Sequence, residues 1–269
     1  RMTMKKYFYQ LIILLRTSFH YRFNTVVELL FSNMDLLITV LFWMLIYKSA
    51  GTDRLQTYTA ADMVIYYLAN SVLRRFNLTN SSWEYVSSIK NGTLSAKLLK
   101  PCRIGGMIYV RNLALAVTGM LPAALFILAA GTIFSVQVSW HFALGRIPGV
   151  VVMLILSSIS SHLVWSLLGF LSFWTEEGSA VIWSFMVIFN FLSGMFLPLD
   201  FFPKGWLSVL EILPPASWGY LPTKILLGQY SPADQQYLIL MQAAWCVILG
   251  ILKEGVWRAG LKRYSSVGS

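Results

Sequence analysis

Apolar blocks of about 18 residues or more recur through the chain, and each is long enough to cross a bilayer as a helix. One of them, "GVVVMLILSSISSHLVWSLLGFLSFW" from Gly149 to Trp174, holds no charged residue. The runs are continuous and do not alternate polar with apolar, which argues for helices and against a transmembrane β-barrel. Only 12% of the residues are charged, about half the share usual in a soluble domain. The expected fold class is therefore an all-α membrane protein. The net charge of +10 is accounted for by lysines and arginines gathered on cytoplasmic loops, and no nucleic-acid partner is expected. Cys102 and Cys246 lie far apart with no metal-site spacing, so a structural role or none is expected of them. The N-terminus lacks the apolar core and small-residue cleavage site of a secretory signal.

The blocks place six spans at about 25–47, 59–80, 105–134, 146–173, 179–197 and 236–254. The second is polar for a span, with Asp62, Asn70, Arg74 and Arg75 inside it, and the third contains Pro122. Ahead of them, residues 4–22 put Tyr7, Leu11, Leu14, Leu15 and Ser18 near one helical face with Lys5, Lys6, Arg16 and Arg22 around it. That pattern fits a helix lying in the membrane interface, or a simple extension of the first span. Residues 1–24 are read as this interfacial segment and 25–269 as one six-span domain. With both termini inside, the cytoplasmic segments 1–24, 81–103 and 253–269 hold thirteen lysines and arginines, against five in the external segments. The bias favours both ends in the cytoplasm. Arg74 and Arg75 then lie near the cytoplasmic end of the second span, and Glu28 and Asp35 share a face of the first. One of these acids is expected to pair with Arg74 or Arg75, the alternative being separate snorkelling to water.

Between the second and third spans runs "IKNGTLSAKLLKP", Ile89 to Pro101. Asn91-Gly92 suits a left-handed helix terminus, and Thr93 offers a hydroxyl to cap a new helix. In that helix Leu94, Leu98 and Leu99 are expected together, with Lys97 and Lys100 outward, until Pro101 forbids its continuation. Such a helix either rests on anionic lipid or docks in a groove of a cytoplasmic partner. Between the fifth and sixth spans, residues 194–228 hold five of the nine prolines and many Phe, Leu and Trp residues. A solvated loop would be more polar, and broken apolar backbone at membrane depth must be covered by protein or face a cavity. Two short re-entrant helices at about 200–212 and 216–228 are expected, with an interfacial aromatic belt of Trp206, Trp218 and Tyr220 as the compatible alternative.

The chain contains no Gly-Lys dipeptide, so it cannot form a Walker phosphate loop. His20, His141 and His162 are scattered; His162 is expected to pack by hydrogen bonding to Ser158 or Ser161, a proton relay being the sharper alternative. Glu176 and Glu177, in "TEEG", are read as a cytoplasmic turn that contacts a partner or basic residues. No constellation suggests covalent catalysis or metal binding, and no enzymatic activity is expected of the chain.

Three segments carry a resemblance. "WEYVSSIKNGTLSAKLLKP" (83–101), with Ile89, Gly92, Leu94, Leu98, Leu99 and Pro101, is similar to the cytoplasmic loop of ABC-2 type permeases, the membrane subunits of one class of ABC exporter. "FLSGMFLPLDFFPKGW" (191–206), followed by "LPPASWGYLPTKILLG" (213–228), resembles their Ser-Gly pair and spaced prolines. The tail "WRAGLKRYSSVG" (257–268) looks like the closing motif of the subgroup with a separate ATPase and paired permeases. The resemblance implies an ABC-2, type V exporter-like fold: six transmembrane helices, an N-terminal interfacial helix, a cytoplasmic coupling helix at about 84–101 and extracellular re-entrant helices at about 198–228. It implies ATPase coupling through Ile89, Gly92, Leu94, Leu98, Leu99 and Pro101, and an extracellular lid built on Pro198, Phe201, Phe202, Pro203, Trp206, Pro214 and Pro215. It further implies two ABC ATPase subunits that bind the ATP and Mg, none being bound by this chain directly. A second permease, the same or a different chain, membrane lipids and a bacterial inner-membrane location complete the expectation. An amphiphile (drug, lipid, peptide or glycan-like) suits a pathway lined by aromatic and small residues. The competing readings are an ion-gradient-driven secondary transporter, which would show inverted repeats, and a membrane-embedded lipid-modifying transferase, which would cluster His or acidic residues on one face.

Overall fold

The computed structural model describes residues 2–18, 34–133 and 144–264. Glu28, His20, His141 and the first part of the 25–47 block lie outside the described residues. The described chain is helical but for one two-stranded hairpin, β1 Arg54–Leu55 and β2 Tyr58–Thr59, paired antiparallel with Arg54 opposite Thr59. The helices are α1 Met2–Ser18, α2 Met34–Ala50, α3 Ala60–Leu73, α4 Asn80–Lys90, α5 Leu94–Leu98, α6 Ile104–Ile133, α7 Ile147–Phe170, α8 Gly178–Leu192, α9 Lys204–Leu210, α10 Tyr220–Leu227 and α11 Pro232–Arg263.

Two stretches of the described chain are long and apolar enough to cross a bilayer: Ile147–Phe173, with mean hydropathy 2.0, and Pro232–Arg263, with mean hydropathy 1.6. Half of the first is buried against the rest of the chain but only 11% of the second. So α7 is the central post, with α4, α10 and α11 packed on it. Most of α11 faces outward, with Leu240, Val247, Ile251 and Leu252 exposed. Apolar side chains in that position need lipid or another subunit as solvent. α1 lies on the start of α6: the Tyr7 hydroxyl accepts from Arg103 N–H at 3.0 Å, and Gln10 donates to Met107 O at 3.2 Å.

Local chemistry fixes several boundaries. α3 opens with a capping box: Thr59 Oγ1 accepts from Asp62 N–H, and Asp62 Oδ2 accepts from Thr59 N–H. Asp62, a polar residue inside the span expected over 59–80, is thus a helix cap, the use of a carboxylate that helix starts favour. That expected span is also shorter and broken. α3 stops at Leu73, a 3₁₀ turn follows over Arg74–Phe76, and α4 starts at Asn80. The break is stable because α7 takes the freed polar groups. Leu78 N–H donates to Ser161 Oγ at 3.1 Å, and Trp165 Nε1 donates to Asn77 Oδ1 at 2.7 Å. α11 starts from Ser231, whose hydroxyl accepts from Asp234 N–H, with Pro232 in the first turn, a position that suits proline because that amide has no intrahelical acceptor.

Among the described residues, buried hydrophobic side chains form three clusters along α7. One gathers α2, α3, α10 and the hairpin around Trp43, Tyr58, Tyr66, Met153 and Tyr220. A middle one holds Val86, Trp165, Ile182 and Trp218. The last holds Tyr85, Ile89, Leu94, Ile104, Phe170 and Phe173. α11 has 32 residues, about 48 Å of helix, and it meets the first cluster near its start and the last near its end.

Candidate functional site

At the far end of α11, α4 and α5 form a bent pair. Gly92 sits at φ +68°, the left-handed conformation that ends α4 and that a residue with a side chain adopts only at a cost. The bend is pinned by the end of α11: Tyr264 donates to Gly92 O at 3.1 Å and lies 3.3 Å from Ser95 Oγ. Thr93 does not cap α5 with its hydroxyl; it is helical itself, and its carbonyl accepts from Lys97 N–H at 3.2 Å. Leu94 is fully buried in the last cluster, beside Ile89. Leu98 is 44% exposed and Leu99 88%. The three leucines therefore do not share a buried face, because α5 is only five residues long and its far end runs past the edge of the cluster. Lys97 is not outward either; its ammonium donates to Ser88 Oγ at 2.6 Å. Lys100 and Pro101 are exposed. Lys90 donates to the carbonyl of Glu176, which ties the 175–178 turn to α4, while the Glu176 and Glu177 side chains stay exposed. Burial holds the Glu84 carboxyl on α4 above the usual carboxylate range, although Arg111 at 3.5 Å and Lys97 pull the other way.

At the opposite end, residues 194–228 fold back over the first cluster. α9 and α10 fall in the two stretches read as short helices, each preceded by a 3₁₀ turn, Leu199–Phe201 and Pro214–Trp218. Three of the carbonyls that follow α8 are taken by groups from other elements. Ser193 O accepts from Tyr220 N–H at 2.9 Å, Gly194 O from the Tyr66 hydroxyl at 2.8 Å, and Phe196 O from the Tyr67 hydroxyl at 2.8 Å. Gln242 on α11 donates to the carbonyls of Ile212 and Leu213, both at 3.1 Å. Pro214 and Pro215 are buried with the turn they start, Phe201 stacks on Tyr58 with ring centres 6.2 Å apart, and Phe202 is half-buried. Pro203 and Trp206 point outward, Trp206 being 64% exposed, while Pro198 is buried.

An ion pair locks this fold-back. Lys224 Nζ lies 3.0 Å from both carboxylate oxygens of Asp200 and 3.2 Å from the Tyr58 hydroxyl, which itself donates to Asp200 Oδ2 at 2.5 Å. The ammonium also sits over the Tyr58 and Tyr220 rings at 5.3 and 5.4 Å. Lys224 is 8% and Asp200 15% exposed. A buried pair of this kind is tolerated because every charge has a partner. Neither residue was among those singled out from the sequence. The available signal was that this apolar, proline-broken stretch carries charged residues at all: Asp200, Lys204, Glu211 and Lys224.

A family model described as ABC-2 family transporter protein matches residues 34–268, which takes in both ends and everything between them from α2 to α11. The chain belongs to the ABC-2 family. Among curated proteins no significant match is found. Membrane proteins of this family generally work with ABC ATPases and are membrane transport components.

In this ABC-2 family chain Arg74 pairs with Asp35 across α2 and the turn after α3, while Arg75 packs against the backbone at Gly119. His162 is buried, yet its partners are neither Ser158 nor Ser161. Its Nδ1 is 2.8 Å from Ser81 Oγ and its Nε2 is 2.9 Å from Lys253 Nζ. Ser158 is occupied by Tyr109 at 2.9 Å and Ser161 by the Leu78 amide. Ser81 and Lys253 come from α4 and α11, far off in sequence, so spacing along α7 could not reveal them.

Proposed function

We propose that this chain is the transmembrane permease subunit of an ATP-driven ABC exporter, with six spans, both termini cytoplasmic, in a bacterial inner membrane. α4 and α5 act as the coupling element on a separate ATPase. The observation that supports this is the contrast within α5: Leu94 is buried and the bend is pinned by Tyr264, while Leu98 and Leu99 stand exposed at the tip. A braced helix with an apolar tip transmits a push from a partner into α4, α6 and α11 together. Residues 198–228, at the other end of α11, serve as the external lid over the path. Two ATPases and a second permease, the same chain or another, complete the machine, and the substrate is an amphiphile. The deciding experiment is co-purification from membranes: the chain brings down a soluble ATPase, and Leu98→Asp or Leu99→Asp loses it while the permease stays folded. A folded, transport-competent permease with no ATPase would overturn the reading in favour of an ion-driven carrier, for which the buried Lys253 and His162 would then be the coupling groups.

A further inference from the structure

An open cavity of about 570 Å³ lies at the 80–101 end, walled by α4, α5, α6, α7 and α11. Lys253 reaches it from α11 and Arg103 stands at its rim. Among the described residues neither cation forms an ion pair with a carboxylate. Glu254, the acid on the lining, is held by Arg258 at 2.8 Å. The partner of Lys253 is the imidazole of His162. An ammonium donates and cannot accept, so Nε2 is the acceptor, Nδ1 carries the proton, and Ser81 Oγ receives it. One of the three ammonium N–H bonds is then used by His162, and Lys253 is part of the cavity lining.

Beside that ammonium the wall has a glycine, Gly105, with the Tyr85 hydroxyl next to it. A Cβ at Gly105 would come within 3.1 Å of Lys253 Nζ, so a side chain there would crowd the approach that the glycine leaves open. Gly105 belongs to the first turn of α6, whose amides have no intrahelical acceptors. The lining also holds the apolar side chains of Ile104, Ile159 and Trp257. A partly buried, uncompensated cation next to an apolar wall attracts an anion that carries a hydrocarbon chain.

We propose that this cavity is a binding site for the anionic headgroup of an amphiphile, a phosphate or carboxylate held between Lys253 and Arg103, its chain lying along Ile104, Ile159 and Trp257. The proposal rests on the permease reading only for what delivers the ligand, either the surrounding lipid or a transported molecule. Occupancy itself is independent of any ATPase.

Cys102 lines the cavity and supplies the readout. In the full chain with Cys246→Ser it is the remaining thiol. Its rate of reaction with a maleimide is measured in phosphatidylcholine nanodiscs. Dodecyl phosphate is expected to slow the reaction several-fold, and inorganic phosphate, dodecyl maltoside and dodecyltrimethylammonium to leave it unchanged. Slowing on replacing phosphatidylcholine with phosphatidylglycerol identifies bilayer lipid as a source; slowing by dodecyl phosphate alone identifies a free amphiphile. Arg103→Gln weakens the protection, Lys253→Gln with Arg103→Gln removes it, and Lys253→Arg, which keeps the charge, retains it. Equal protection by dodecyl maltoside or by the cationic detergent, protection by inorganic phosphate alone, no protection in either anionic arm, or protection that survives loss of both cations would overturn the site. Loss of ATPase capture by Leu99→Asp, a residue outside the cavity lining, tests the permease reading separately and leaves this labelling result untouched.

Discussion

The two ends of α11 solve opposite problems with similar material. Both carry short helices joined by glycine or proline turns and rich in leucine. The 198–228 end is closed on itself: Lys224, Asp200 and Tyr58 meet one another in the interior, and the carbonyls of Ser193, Gly194 and Phe196 accept from Tyr220, Tyr66 and Tyr67. The 80–101 end is braced from behind by Leu94 and Tyr264 but keeps Leu98 and Leu99 in the open. Apolar side chains face outward at both ends, Trp206 and Val209 at one and Leu98 and Leu99 at the other; what differs is that a buried ion pair locks the first, while the second presents its leucines on a braced five-residue helix.

The largest test of that contrast strikes the closed end. Lys224→Met should lower unfolding stability by about 3–5 kcal/mol, since it strands a buried carboxylate. Asp200→Leu together with Lys224→Met should recover much of the loss, as followed by thermal unfolding in detergent. A single substitution without effect would erase the difference between the ends. Next, Leu94→Ala should cost about 2–5 kcal/mol as a buried truncation. Leu99→Asp should stay within about 0.5 kcal/mol, as exposed positions do, yet abolish ATPase capture; if both leucines behave alike in unfolding, the braced tip is wrong. Smaller again, the half-exposed Asp35–Arg74 pair should show a coupling of up to about 1 kcal/mol in a cycle of Asp35→Asn and Arg74→Gln. Strictly additive losses would mean that the two residues act separately.

The smallest effect is a pH dependence at Glu84. Its carboxyl is raised above the ordinary value of 4.5 by burial, so the folded chain binds that proton more tightly than the unfolded one. The associated stability is present at acid pH and is lost as pH rises above 4.5 through the folded value. Measured against Glu84→Gln, the wild type should lose stability over that window, and a gain would reverse the sign of the argument.

What was legible in the residues was whatever local chemistry decides. The helix break at Asn91-Gly92, the stop before Pro101 and the two short helices in the proline-rich stretch each follow from a backbone preference that acts over a few neighbours. The 59–80 block reads as one polar span, whereas Asp62 caps the helix start with Thr59 and the helix ends at Leu73, ahead of Arg74 and Arg75. Leu94, Leu98 and Leu99 misled because periodicity gives a helix its face but not the point at which its neighbours end.

The sequence by itself determined that the chain is helical and apolar and that it bends at Gly92, because hydrophobic run length and glycine conformation are properties of contiguous residues. Only the tertiary structure decided that Lys224 meets Asp200, that His162 meets Ser81 and Lys253, and that Leu99 is left bare. Each of those depends on residues brought together from separate helices, and whether a charge is paired or a leucine covered is fixed by packing that spacing along one helix does not encode.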